Sequence, residues 1–149
     1  MLPPHRPDEV LRIRTPDWCR SRLHAVCEGL LSTDDEGRRR RPLLVACVAE
    51  EQDVVFVVRE RVEQTWSLVW GTVTIEVAGT AADGQRWVVR ASGVCERVRL
   101  PEWAAATWAR SSHPAYGNRE EGEPPPPFGL RLPDAALRGC SVPAERAAG

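Results

Sequence analysis

Thr72-Val73-Thr74-Ile75-Glu76-Val77-Ala78, then Asp83-Gly84, then Arg86-Trp87-Val88-Val89-Arg90-Ala91-Ser92-Gly93-Val94-Cys95-Glu96-Arg97-Val98, is the stretch that decides the fold. Val73, Ile75 and Val77 alternate with Thr72, Thr74 and Glu76, the period of two that turns one face of a strand toward a core and the other toward water. We place this strand at Ser67 to Ala78. Asp-Gly is a hairpin turn signal, so the run from Arg86 to Val98 is its antiparallel return. Upstream, Val54-Val55-Phe56-Val57-Val58 has no alternation and predicts a strand buried on both faces. His24 to Leu31 and Arg40 to Ala49, the latter broken near its start by Pro42, form a first hairpin around the turn Asp34-Asp35-Glu36-Gly37. Phe128 to Leu132 is a last strand, followed by Pro133, a turn over Asp134 to Leu137 and a terminal segment from Arg138 to Val142.

Helices are sparse. Thr15-Pro16-Asp17 supplies an N-cap, a proline in the first turn and an acid beside the positive helix end, predicting a short helix from Pro16 to about Leu23. Pro101-Glu102-Trp103 opens an Ala-rich helix that ends near Arg110. Pro124 to Pro127 are consecutive prolines in a loop of polyproline character. Met1 to Arg14, with three prolines, is expected to be flexible or to run along another surface, leaving 15–149 as one domain. Antiparallel hairpins with few helices point to a closed or nearly closed barrel.

Composition narrows the function. The 149 residues carry 20 Lys+Arg against 21 Asp+Glu, a formal net charge of -1, which argues against nucleic acid as a partner. Every basic residue is Arg, so Schiff-base chemistry and a P-loop lysine are excluded. The five cysteines, Cys19, Cys27, Cys47, Cys95 and Cys140, form no C-x-x-C pair and are odd in number, against both a closed disulfide framework and a thiolate zinc site. Cys27, Cys47 and Cys95 sit in apolar strand-like runs and are expected to be buried free thiols. With no signal-like apolar segment near the start and no spanning stretch, a cytoplasmic location without a membrane partner is expected.

The layout from about Val26 to Val142 resembles the flavin-binding split β-barrels, which include pyridoxamine-phosphate-oxidase-like proteins and deazaflavin-dependent reductases common in actinobacteria. Leu31-Ser-Thr-Asp-Asp-Glu-Gly37-Arg38 is similar to that family's first hairpin, and Asp53-Val-Val-Phe-Val-Val-Arg59 to its third strand. Gln85 to Val98 resembles the strand ending in G-x-A-x-x-V, and Phe128 to Pro133 with Leu137-Arg138-Gly139 resembles the closing strand and its loop. The resemblance implies a mainly β fold, a six-stranded antiparallel split β-barrel with two short helices, and a homodimer whose cofactor cleft lies between two barrels. It also implies FMN or deazaflavin as cofactor. Where the family carries basic phosphate-binding residues after the third strand, this chain has Gln64 and Ser67, and the r-d-P-r segment is replaced by Val69-Trp70-Gly71.

Candidate cofactor-binding residues follow. Arg38 to Arg41 form a basic run in which alternate members, Arg38 and Arg40, share a face and suit a phosphate or carboxylate, or else pair with Asp34, Asp35 and Glu36. Arg59 and Arg61 form a second basic pair, near the phosphate end of the cofactor in the family's geometry. Gln64, Trp66, Ser67 and Trp70 occupy the altered segment, where Trp66 and Trp70 either stack on a flat ligand or pack at an interface. Trp103 and Trp108 fit packing. His24 or His113 would be the axial ligand if the cleft held haem instead of flavin. No catalytic residue or metal site is assigned.

The expected function is a small flavin- or deazaflavin-dependent oxidoreductase acting on a planar conjugated small molecule. Two alternatives stand beside it. One is a non-redox descendant binding haem or an aromatic small molecule in a modified cleft, and the other is a partner-binding dimer without catalysis.

Overall fold

The computed structural model of the chain describes residues 11–33, 42–58, 68, 70–99, 102–103 and 129–144. Within them lie strands β1 (Arg12–Arg14), β2 (Cys27–Thr33), β3 (Leu43–Glu50), β4 (Asp53–Val58), β5 (Thr72–Thr80), β6 (Arg86–Val94), β7 (Glu96–Val98), β8 (Gly129–Leu132) and β9 (Ala136–Val142). One helix, α1 (Pro16–Arg22), separates β1 from β2. All the strands pair antiparallel in one sheet of order β1-β9-β6-β5-β2-β3-β4-β8-β7.

That order makes the architecture. β6 pairs with β5 and β9, while β7, separated from β6 by Cys95 alone, pairs with β8 at the far end of the sheet. A single bent strand, Arg86 to Val98, therefore belongs to both ends and rolls the sheet into a ring of β6–β7, β5, β2, β3, β4 and β8. Closure is also visible at Gly93, whose Cβ position lies 3.7 Å from Leu132 Cβ. β9 and β1 continue outward from the free edge of β6, so the barrel is split rather than smooth. The ring uses the six strands read from the sequence. The strand count is nine because the fifth expected strand divides at Cys95, the segment Arg138 to Val142 is a full strand, and Arg12–Arg14 pairs along β9.

The core fills the ring. Leu31, Val45, Phe56, Ile75, Val89, Leu130 and Leu132 are all fully buried in one cluster. On β4, Val54, Phe56 and Val58 point into this cluster, yet Val55 and Val57 on the other face are buried too, as the unbroken apolar run predicts. Ala46 and Val57 form a second cluster outside the ring, against which Trp103 packs. Val73, Ile75 and Val77 of β5 face inward while Thr72, Thr74 and Glu76 face out, with Thr74 and Glu76 bonded across to Ser92 (3.0 Å) and Arg90 (3.0 Å) of β6. Opposite Trp87, glycine at position 79 makes room for the indole lying over it, since a Cβ there would run into the ring unless the ring moved.

Local chemistry explains the boundaries. Thr15 Oγ1 accepts from Trp18 N at 3.2 Å and Pro16 starts α1, as expected from the sequence. β3 begins only after Pro42, which cannot donate to the ladder. The β5–β6 turn is closed by Ala81 N to Gln85 O (2.8 Å) and by Gln85 N to Asp83 Oδ1 (2.9 Å), with Gly84 at φ 86°. β5 starts at Thr72 rather than Ser67 because Leu68 to Gly71 forms a turn, closed by Gly71 N to Leu68 O at 3.0 Å. Of the second expected helix, Glu102 and Trp103 are helical and the remainder lies outside the described residues, as do the tetraproline segment and Met1 to Val10.

Candidate functional site

Trp70 occupies an unusual position. Its φ is 68°, a left-handed conformation that costs a side-chain-bearing residue about 1–2 kcal/mol, and 74% of its surface is exposed. The turn that carries it is tied to the bend between β6 and β7: Trp70 N donates to Cys95 O at 2.6 Å, and Cys95 N donates to Gly71 O at 2.9 Å. Leu68, 3% exposed, anchors the same turn into the core. The backbone of the turn is thus fixed, and the indole is left largely exposed. Val94, whose partner in the ladder is Thr72, adds a second exposed apolar side chain nearby on the outer face.

A separate cleft of about 760 Å³ opens on the outer wall of the barrel, lined by Glu50, Asp53, Val55, Val98, Arg99, Glu102, Trp103 and Arg131. Arg131 stands in the middle of β8, directly opposite Val55 of β4 and Glu96 of β7. Its Nη2 and Nε donate to Glu96 Oε2 at 2.9 and 3.2 Å, and its Nη1 lies 3.9 Å from Asp53 Oδ2. Asp53 in turn accepts from Asp134 N at 3.0 Å, fixing the turn into β9. The Arg131 guanidinium, the centre of this network, already faces carboxylates, and Glu50 and Glu102 add two more acids to the cleft. With Arg99 beside Arg131, the lining carries both signs of charge, and the Arg131 guanidinium is already engaged by carboxylates.

The network of Arg131, Glu96 and Asp53 was not singled out from the sequence. Its signal was available: Arg131 is the one charge inside the apolar run Gly129-Leu-Arg-Leu132, and alternation puts it on the outer face.

Of the cofactor-binding candidates, Trp70 alone lies among the described residues, where it is exposed. Arg38, Arg40, Arg59, Arg61, Gln64, Trp66 and Ser67 lie outside the described residues, so the expected phosphate contacts do as well. His113 lies there too. His24 is exposed just after α1, with Nδ1 2.5 Å from Ser21 O, an arrangement that orients the ring from its own helix.

Burial disfavours the thiolate at four of the cysteines. Cys47 and Cys95 are fully buried, and desolvation of the thiolate pushes each thiol up to about 12 from the usual 9.0. Burial raises Cys19 and Cys27 as well. All five cysteines are free, as expected from their number and spacing. Among the described residues no group of His, Cys, Asp and Glu is placed to hold a metal ion, and no helix is long and apolar enough to cross a membrane.

No protein-family model and no curated protein sequence matches the chain. Solved structures do. The FAD binding protein from Mycobacterium smegmatis superposes with a TM-score of 0.61 at 16% identity, covering 89% of this chain and 99% of that one. A Corynebacterium glutamicum protein described as a candidate pyridoxamine 5'-phosphate oxidase gives 0.60 at 15% identity, covering 94% and 98%. An FAD-binding protein from Mesorhizobium loti gives 0.54 at 13% identity, covering 89% and 99%. At these identities the likeness is one of fold, and it extends over nearly the whole of each chain. The chain therefore has the split β-barrel fold of these flavin-binding and pyridoxamine-phosphate-oxidase-like structures, as the layout of its strands implied.

Proposed function

We propose that the protein binds a flavin, FMN or a deazaflavin, and acts as a small oxidoreductase on a planar conjugated molecule. The observation that carries this is Trp70, an exposed indole on a turn whose strained backbone is held by two hydrogen bonds, on a fold shared with flavin-binding structures. The packing of Trp70's buried quarter does no more than offset that strain, and such strain concentrates at ligand sites. The indole would stack on one face of the isoalloxazine or deazaflavin ring, a contact of about 0.5–1.5 kcal/mol beyond area burial. When bound, the cofactor supplies hydride transfer, while the protein supplies position and the exclusion of water. The phosphate end falls to Arg38, Arg40, Arg59 and Arg61, with Gln64 and Ser67 as neutral donors and Trp66 as a second ring.

The working unit of this proposal is a homodimer. The outer face of β1, β9, β6, β5 and β2 supports it, because Ile13, Leu30 and Val94 are exposed there, while Arg90 and Glu76 offer both signs of charge. Light scattering should then give twice 16.6 kDa at micromolar concentration.

The deciding experiment is a titration of the purified protein with FMN, FAD, a deazaflavin and haem, followed by tryptophan fluorescence and the visible spectrum. One flavin class should bind at micromolar or better affinity, and Trp70→Leu should weaken it at least tenfold with the far-ultraviolet circular dichroism unchanged. Absence of binding by every flavin refutes the assignment. Tight haem binding alone would replace it with the haem alternative.

A further inference from the structure

Cys27 and Cys47 stand directly opposite each other on the antiparallel pair β2 and β3. Opposed residues on such strands have Cα atoms roughly 4.5–5.5 Å apart and side chains on one face of the sheet, which lies inside the roughly 4.4–6.8 Å that a disulfide spans. Both face the barrel interior: Cys47 is a fully buried member of the core cluster, and Cys27, half-buried, packs against that cluster. The Cys27 thiol is meanwhile directed at the carbonyls of Ala25 (3.0 Å) and Arg22 (3.7 Å).

We propose that Cys27 and Cys47 are a dithiol that a hydroperoxide converts to a disulfide, stapling β2 to β3. Cys27, the more accessible sulfur, attacks the peroxide oxygen. The O–O bond breaks, one alcohol or water leaves with a proton, and Cys27 becomes a sulfenic acid. Rotation of Cys27 away from Ala25 brings its sulfur to Cys47, whose sulfur displaces the hydroxyl. The S–O bond breaks, the S–S bond forms, and water leaves with the Cys47 proton. Two thiols lose two electrons and the peroxide gains them, so one equivalent of hydroperoxide suffices.

No two of the other three thiols are partners in the strand ladder, where Cys140 stands opposite Ile13 and Val88. Cys19 lies on the side of β9 where a Cβ on Gly139 would strike its sulfur, whereas Cys140, the next residue, points to the opposite face. Cys95 sits alone at the β6–β7 bend, far along the ring from β3.

Treating the full chain with hydrogen peroxide, blocking residual thiols and mapping peptides by mass spectrometry tests this. The expected result is loss of two of the five thiols, one linked peptide pair joining Cys27 to Cys47, and full reversal by dithiothreitol. Cys27→Ala or Cys47→Ala should abolish the link, whereas Cys140→Ala should leave it in place. The oxidised chain should also melt several degrees higher, about the shift that closing the loop from Cys27 to Cys47 brings. Five thiols surviving in excess peroxide, Cys27 oxidised to sulfinic acid beside a free Cys47, or a link through any other cysteine would each overturn the proposal. None of these outcomes depends on flavin binding.

Discussion

Replacing Trp70 with glycine separates an indole kept for a ligand from one kept for packing. With 74% of the residue exposed, about a quarter of a side chain of roughly 250 Å² is buried, or about 60 Å², worth about 1.5 kcal/mol at 25 cal/mol/Å². Against this loss, glycine relieves the left-handed backbone at φ 68°, a gain of about 1–2 kcal/mol. Glycine's extra freedom in the unfolded chain takes back about 0.5–1 kcal/mol. The sum is a loss of about 0–1.5 kcal/mol, whereas truncating a buried tryptophan costs about 3–5 kcal/mol. Urea unfolding followed by far-ultraviolet circular dichroism, at two protein concentrations, measures the difference. Near-unchanged stability with flavin affinity down at least tenfold is the expected outcome. A loss of 3 kcal/mol or more, or one that grows on dilution, would refute the reasoning by showing the indole buried in a subunit contact.

Phe56→Ala should cost about 3–5 kcal/mol, because Phe56 is fully buried inside the ring; a cost below about 1 kcal/mol in urea unfolding would place it outside the core. Stability should fall as pH rises from 9 toward 12, since Cys47 and Cys95 stay protonated when folded but ionise near 9.0 when unfolded, so the unfolded chain holds fewer protons in that window. The loss deepens toward the top of that window, and Cys47→Ala should flatten the urea midpoint's decline with pH. Gly79→Ala should destabilise by about 1–3 kcal/mol through collision with Trp87, and adding Trp87→Leu should recover part of that. Strict additivity of the two substitutions in thermal melts would show that the ring does not lie over position 79.

The barrel was legible because its signals are local. Val73, Ile75 and Val77 announce a half-buried strand, Val54 to Val58 a doubly covered one, and Asp83-Gly84 the turn between partners, so the six ring strands follow from period and punctuation. The division at Cys95 was not legible, because nothing in Val94-Cys95-Glu96 distinguishes a bend from a continuing strand; only the choice of neighbours, β9 on one side of it and β8 on the other, reveals it. β1 was hidden for the same reason, since three residues acquire strand geometry only by pairing with β9. At the candidate site, Trp70 stood out as an aromatic in an altered motif. Arg131 did not, as its meaning depends on Glu96 and Asp53 being brought to it from two other strands.

The bent strand also sets an order of events in time. Hairpins β3–β4 and β5–β6 join residues close in sequence and can form within microseconds, before the rest of the chain has found its place. The ring closes only when Val54 meets Leu132 and Glu96 meets Arg131, pairings that bring together distant parts of the chain. Such long-range pairings slow folding of β-rich domains to milliseconds or seconds. Until that last pairing forms, the edges of β4 and β7 are both open, and it is in this interval that a nascent or refolding chain is most exposed to capture by another copy of itself.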